Sequence, residues 1–289
     1  MLVPSIDRNQ RWWPAVAALV VGTAALGASL LVPQLFSDPN GVDPYVARLS
    51  ATALVLAGAT FLVRPLAPAR PVLLALFAVT GSFTLLSAGP QILFDLFGTR
   101  SGSGDEQVLL ASTAQVLVTT GVAWLVWRSV PPELRPAFRL TRLGVRGAVV
   151  TVAGTAALLL GALALPASWL GRDGVEPVAV LRDLAWLGPA YAMQAFSQEL
   201  QFRGLLMGGL ERVMGPGWAN LGQAAFFGLT HLAVNYQGPV APFVPVTIAI
   251  GLVLGYVVQR TNSLWPAIVI HAAADIAITF AVLPGLYGF

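Results

Sequence analysis

Apolar residues run through this chain in stretches long enough to be cut into nine segments, near 15–36, 46–63, 72–97, 108–127, 148–170, 184–210, 218–235, 244–258 and 264–283. Each is close to the ~20 residues that cross ~30 Å of hydrocarbon. A water-soluble fold has too little interior for so much apolar sequence. Hydrophobic residues make up 56% of the chain, charged residues 10%, and the mean hydropathy is +0.76, against roughly 25% charged residues in an ordinary soluble domain. Backbone groups in lipid must be satisfied within the segment, which leaves helices for spans of this length. The expected fold is therefore all-α: a polytopic membrane protein with about eight to nine transmembrane helices around a polar intramembrane cavity.

Charge orients the spans. The fourth-to-fifth connection holds Arg135, Arg139, Arg142 and Arg146, so the positive-inside rule makes it cytoplasmic. Counting outward puts the N-terminus, with Arg8 and Arg11, inside as well, and the acidic loops 37–43 and 171–177 outside. The expected location is a bacterial cytoplasmic membrane. The first stretch reads as a retained helix rather than a cleaved signal peptide, given its length and the interfacial Trp12 and Trp13. All sixteen basic residues are Arg, with no clustered basic face, so nucleic acid is not an expected partner. The absence of Cys excludes disulfides and thiolate chemistry.

Ionisable groups inside a span cost at least ~2.5 kcal/mol on an insertion scale and call for an explanation. In the last four stretches these are Glu199, Arg203, His231, His271 and Asp275, and the chain has only 2 histidines. Glu199 and Arg203 are four apart, as are Phe227 and His231, and His271 and Asp275; on a helix such pairs share a face. Gln194, Gln198 and Gln201 add a polar stripe beside Glu199. A single buried polar residue, such as Asp95 or Arg48, is explained well enough by helix-to-helix hydrogen bonding. Five ionisable groups on three helices point to a site. Tyr191, Asn220, Gln223 and Asn235 are candidates to line it, although singly each reads equally as a helix contact.

The strings QELQFRG, FFGLTH and IVIHAAAD, in that order on successive polar helices, resemble the signature of the CAAX protease and bacteriocin-processing (CPBP, or Abi) family of intramembrane endopeptidases. That signature is a Glu-Glu pair with Arg four beyond the second Glu, then Phe-x-x-x-His, then His-x-x-x-Asn or Asp. The resemblance divides the chain into residues 1–183, transmembrane helices of unassigned role, and 184–289, a CPBP-like catalytic core. It implies that Glu199 and His231 help activate a water, that His271 and Asp275 stabilise the oxyanion, and that Arg203 completes the motif. It also implies a membrane-associated or prenylated peptide, or a leader peptide, as substrate.

The first Glu of the signature is Gln198 in this chain. An amide cannot remove a proton from water, though it can hold a water with one acceptor and two donors. Three readings follow: Glu199 or His231 serves as the base; the chain is a catalytically impaired relative that binds membrane peptides or acts as a scaffold; or the sequence is a Glu-to-Gln form of an ordinary member. A transporter would also place charges in spans, but it would be expected to show inverted repeats, which are not evident. His231 is followed by Leu232, so the His-Glu-x-x-His zinc motif is absent. His231, His271 and Glu199 have the ligand chemistry for Zn²⁺. The reading favours no metal, because replacing the first Glu removes a ligand.

Overall fold

The computed structural model describes residues 8–29, 44–70, 72–81, 84, 104–129, 132, 135–164, 187–212, 214–231 and 243–281. Among these there is helix and no strand. The helices are α1 (Arg8–Ser29), α2 (Pro44–Phe61), α3 (Val72–Gly81), α4 (Gly104–Ser129), α5 (Val145–Ala164), α6 (Leu187–Glu199), α7 (Pro216–Thr230), α8 (Phe243–Thr261) and α9 (Trp265–Ala281), with a 3₁₀ turn at Arg64–Ala69. Each falls within or across one of the nine apolar stretches. Among the described helices, the one long and apolar enough to cross a membrane spans Val244–Thr261 in α8; the apolar parts of several others are shorter. The acidic loops 37–43 and 171–177, Asp95, Asn235 and the side chain of Arg48 lie outside the described residues.

The core is largely apolar, yet many large apolar side chains also face outward and a set of polar ones is buried. Leu54, Leu62, Leu117, Val149, Val152 and Val253 are exposed, whereas Ser112, Gln115, Thr119, Glu199, Gln201 and Arg203 are buried. Buried hydroxyls are satisfied locally: Thr60, Thr80 and Thr151 donate to the carbonyls of Leu56, Leu76 and Gly147, one turn back. This lets a hydroxyl sit in an apolar helix without a tertiary partner.

Four helices form the half of the bundle that matters for the site. α7 packs on α8, α8 on α9, and α9 on α6, while α4 covers another side of α6 and α5 covers α9. Close approach of α7 and α8 depends on small residues. A Cβ on Gly255 would strike the side chains of Asn220 and Gln223, and one on Gly251 would lie 3.1 Å from Ala224. Pro216 occupies the first turn of α7, where its missing N–H costs nothing.

One end of this half is fastened by the segment 135–144. Arg139 adopts a left-handed φ of 50°, as does Asn262 at 51°. From there Arg139 donates through Nη2 to Glu211 Oε2 at 2.7 Å and through Nε to Asn262 Oδ1 at 3.1 Å, while Leu264 N donates to the Arg139 carbonyl at 2.9 Å. Gln259 Nε2 reaches the other Glu211 oxygen at 2.8 Å, and Thr141 Oγ1 donates to the Asn262 carbonyl at 2.7 Å. The segment crosses the chain so closely at Gly208 that a Cβ there would lie 3.1 Å from Ala137 N. The chain at Glu211, the C-terminal end of α8 and the start of α9 are thus held to one clasp.

Candidate active site

The sixth apolar stretch is not α-helical throughout. After Glu199 the chain continues as a π-helix, Leu200–Met207, whose eight residues are all buried, before a last α-turn at Gly208–Leu210. π-Helical turns are rare and concentrate at functional sites. Glu199 sits at the entry to this turn and Arg203 in its middle. The wider winding still brings them together, with Arg203 Nη1 donating to Glu199 Oε1 at 2.8 Å and both side chains fully buried.

Arg203 is tied to two further helices. Its Nη2 donates to the Gly251 carbonyl on α8 at 3.3 Å, and its guanidinium lies 4.6 Å from the centre of the Phe227 ring on α7. A permanently charged group in an apolar bundle requires such compensation.

Glu199 Oε1 accepts a second hydrogen bond, from Nδ1 of His271 on α9 at 2.7 Å. The second carboxylate oxygen, Oε2, is buried and has no hydrogen-bond partner among the described residues. The expected pair within α9 is looser than this bond between helices: His271 Nε2 stands 3.7 Å from Asp275 Oδ1, beyond hydrogen-bonding distance.

His231 caps the C-terminal end of α7, and its Nδ1 lies 2.8 Å from the Phe227 carbonyl. A carbonyl can only accept, so Nδ1 carries the proton, and Nε2 of the neutral ring keeps its lone pair. The Phe227 ring holds the two imidazoles together. His231 packs on it edge-to-face at 4.8 Å, His271 at 5.8 Å, and Phe202 from the π-turn at 4.9 Å. Glu199, Arg203, His231, His271 and Asp275 are therefore gathered at one place, although they come from three helices. Gln198 is half-buried beside Glu199, with no side-chain hydrogen bond to another described residue.

Of the candidate lining residues, Asn220 and Gln223 join helices: Asn220 Nδ2 donates to the Leu252 carbonyl at 3.0 Å, and Gln223 Nε2 to the Gly251 carbonyl at 2.9 Å and to Asn220 Oδ1 at 2.8 Å. Tyr191 is half-buried on α6. The Gly251 carbonyl, the ring of Phe227 and the π-turn were not singled out by sequence reasoning. The spacing Phe-x-x-x-His marked Phe227, but nothing in a sequence shows that one ring touches both histidines.

A metal would have to be held by Nε2 of the imidazoles and Oε2 of Glu199, since a ligating imidazole commonly donates its other N–H to a carbonyl or carboxylate. Nδ1 of each imidazole and Oε1 of Glu199 are engaged with protein groups, and among the described residues no three His, Asp or Glu side chains are grouped so as to hold an ion.

The fold and this cluster define a class first: helical proteins that carry a carboxylate, a guanidinium and two imidazoles inside an otherwise apolar bundle. Residues 180–277, roughly a third of the chain, match the family described as type II CAAX prenyl endopeptidase, Rce1-like. That segment, which includes every residue of the cluster, is similar to the CAAX protease family. No curated protein and no solved structure gives a significant match.

Proposed function

We propose that this chain is an integral membrane endopeptidase that hydrolyses a membrane-associated peptide with an activated water, and that His231 is its base. The observation that carries the proposal is the division of labour between the imidazoles. His231 keeps Nε2 free while Nδ1 is held by a carbonyl, and His271 is bonded to a Glu199 oxygen that Arg203 also occupies.

The chemistry follows from these contacts. Water gives a proton to His231 Nε2 as its oxygen attacks the scissile carbonyl. Gln198 orients that water through its amide, and Glu199 Oε2 is a second acceptor within the cluster. When protonated, His271 presents two N–H donors. Nδ1–H remains on Glu199, and Nε2–H, too far from Asp275 to be spent there, stabilises the oxyanion. The tetrahedral intermediate then collapses, the C–N bond breaks, and the proton on His231 passes to the leaving amine. The step uses no metal.

The exposed apolar faces and the family support a bilayer as the surroundings, with the peptide entering as an unfolded strand. A prenylated carboxy-terminal peptide is the substrate class suggested by the family description, and a leader peptide remains an alternative. A second reading, a peptide-binding relative without hydrolytic activity, is favoured by one observation: the amide at Gln198.

The test is incubation of the purified full chain in lipid with a library of membrane peptides, followed by mass spectrometry. Cleavage that disappears in His231→Ala supports the proposal. Binding without cleavage in the unaltered chain supports the second reading.

A further inference from the structure

α4 faces α6 and the π-turn that follows it with a polar seam in register. Gln194 Nε2 donates to Ser112 Oγ at 3.0 Å and Gln201 Nε2 to Thr119 Oγ1 at 2.7 Å, both across 82 residues of sequence. The constant offset means that the two helices run parallel here. Between these rungs lies Gln115, on the same face of α4 by its three- and four-residue spacing from Ser112 and Thr119. It is 1% exposed, and neither its Nε2 nor its Oε1 has a hydrogen-bond partner among the described residues.

The same offset sets Gln115 level with Ser197 and Gln198. Ser197 donates to the Met193 carbonyl on its own helix and offers Gln115 nothing. Gln198 has no side-chain hydrogen bond to another described residue and adjoins Glu199. A buried primary amide lacking both its donor and acceptor contacts is disfavoured unless something supplies them. Each neighbouring rung is closed by one hydrogen bond, whereas Gln115 makes none among the described residues.

A primary amide sets N–H donors beside a carbonyl acceptor, a pairing that one residue of extended peptide can answer with its own C=O and N–H. An unfolded strand in an apolar bundle needs partners of that kind, because lipid and aliphatic side chains provide none. We propose that Gln115 is a substrate-positioning residue whose side-chain amide pairs with the backbone of the peptide beside Gln198 and Glu199. The first half of the chain then contributes to substrate recognition through α4. This inference rests on the endopeptidase reading.

The test uses the full chain in nanodiscs, a fluorescent peptide that it cleaves, and Gln115→Leu, with Gln115→Met in reserve should the first variant fold poorly. Gln194→Leu, which breaks a satisfied rung, is the comparison. Gln115→Leu is expected to raise KM by roughly 5- to 30-fold, the factor for a net 1–2 kcal/mol of hydrogen bonding, with kcat within about twofold and thermal stability unchanged or higher. In a His231→Ala background, which binds without cleaving, the peptide Kd is expected to weaken by the same factor. Gln194→Leu is expected to lower thermal stability and leave KM within about twofold. KM and Kd unchanged in both Gln115 variants overturn the inference while the endopeptidase reading stands. An unaltered chain that neither cleaves nor binds any peptide overturns both.

Discussion

Arg203 lends itself to a quantitative test because all of its contacts are internal. Replacing it with Ala removes the 2.8 Å bond to Glu199, the 3.3 Å bond to the Gly251 carbonyl and the guanidinium over Phe227. Glu199, fully buried, is left with His271 as its one hydrogen-bond partner among the described residues. Breaking a buried pair from one side costs about 3–5 kcal/mol, mostly because the surviving charge is stranded. At about 2–4 °C per kcal/mol for a protein of this size range, Tm should fall by roughly 6–20 °C. Arg203→Met combined with Glu199→Gln removes both charges, and the Gln still offers an acceptor to His271. That double variant should recover part of the loss, giving a coupling of about 0.5–3 kcal/mol. The assay is thermal unfolding of purified protein in one detergent, with yield from membranes as a second readout. A Tm for Arg203→Ala within 2 °C of the unaltered chain, or additive losses in the double variant, would refute the reasoning.

Other outcomes follow from the same geometry. Gln198→Glu restores a carboxylate beside the free oxygen of Glu199 and should raise peptide cleavage by about 10²- to 10⁴-fold; a gain that persists in His231→Ala would contradict the shared-water mechanism. Gly255→Ala pushes a methyl group into Asn220 and Gln223 and should destabilise the α7–α8 contact by about 1–3 kcal/mol, read as a lower Tm. Glu211→Ala removes acceptors from Arg139 and Gln259 and should cost about 1–3 kcal/mol, with faster proteolysis of the 135–144 segment as the local signature; unaltered proteolysis would show that the segment is held by other contacts.

Much of the fold could be read from the sequence because apolar runs and Gly/Pro punctuation set helix boundaries locally. The stretch 218–235 corresponds to Pro216–Thr230, and 264–283 to Trp265–Ala281. Glu199 and Arg203 were legible as a pair because four-residue spacing is a property of one helix. The bond from Glu199 to His271 was not, since it depends on how helices 72 residues apart in sequence dock. The four-residue rule overstated the tie between His271 and Asp275, where a closer carboxylate on another helix takes Nδ1. The π-turn left no trace either: Leu-Gln-Phe-Arg-Gly has the pattern of ordinary helix, and its extra width shows only once α7, α8 and α9 close on it. The polar face of α4 was overlooked because Ser112, Gln115 and Thr119 are uncharged and scattered through an apolar run.

The clasp around Arg139, Glu211, Gln259 and Asn262 has a mechanical consequence. With Glu211, the end of α8 and the start of α9 fastened, and α7 starting at Pro216, whose carbonyl receives Gln259, a separation of the helices that leaves the clasp intact would pivot there. At 1.5 Å per residue, Asp275 lies about 15 Å along α9 from Trp265, and His231 about 22 Å along α7 from Pro216. A rigid tilt of about 5° therefore moves Asp275 by roughly 1.3 Å and His231 by roughly 2 Å. The lever arm is longer for His231 than for Asp275, so a rotation that made room for a strand would shift the proposed base more than the carboxylate beside His271.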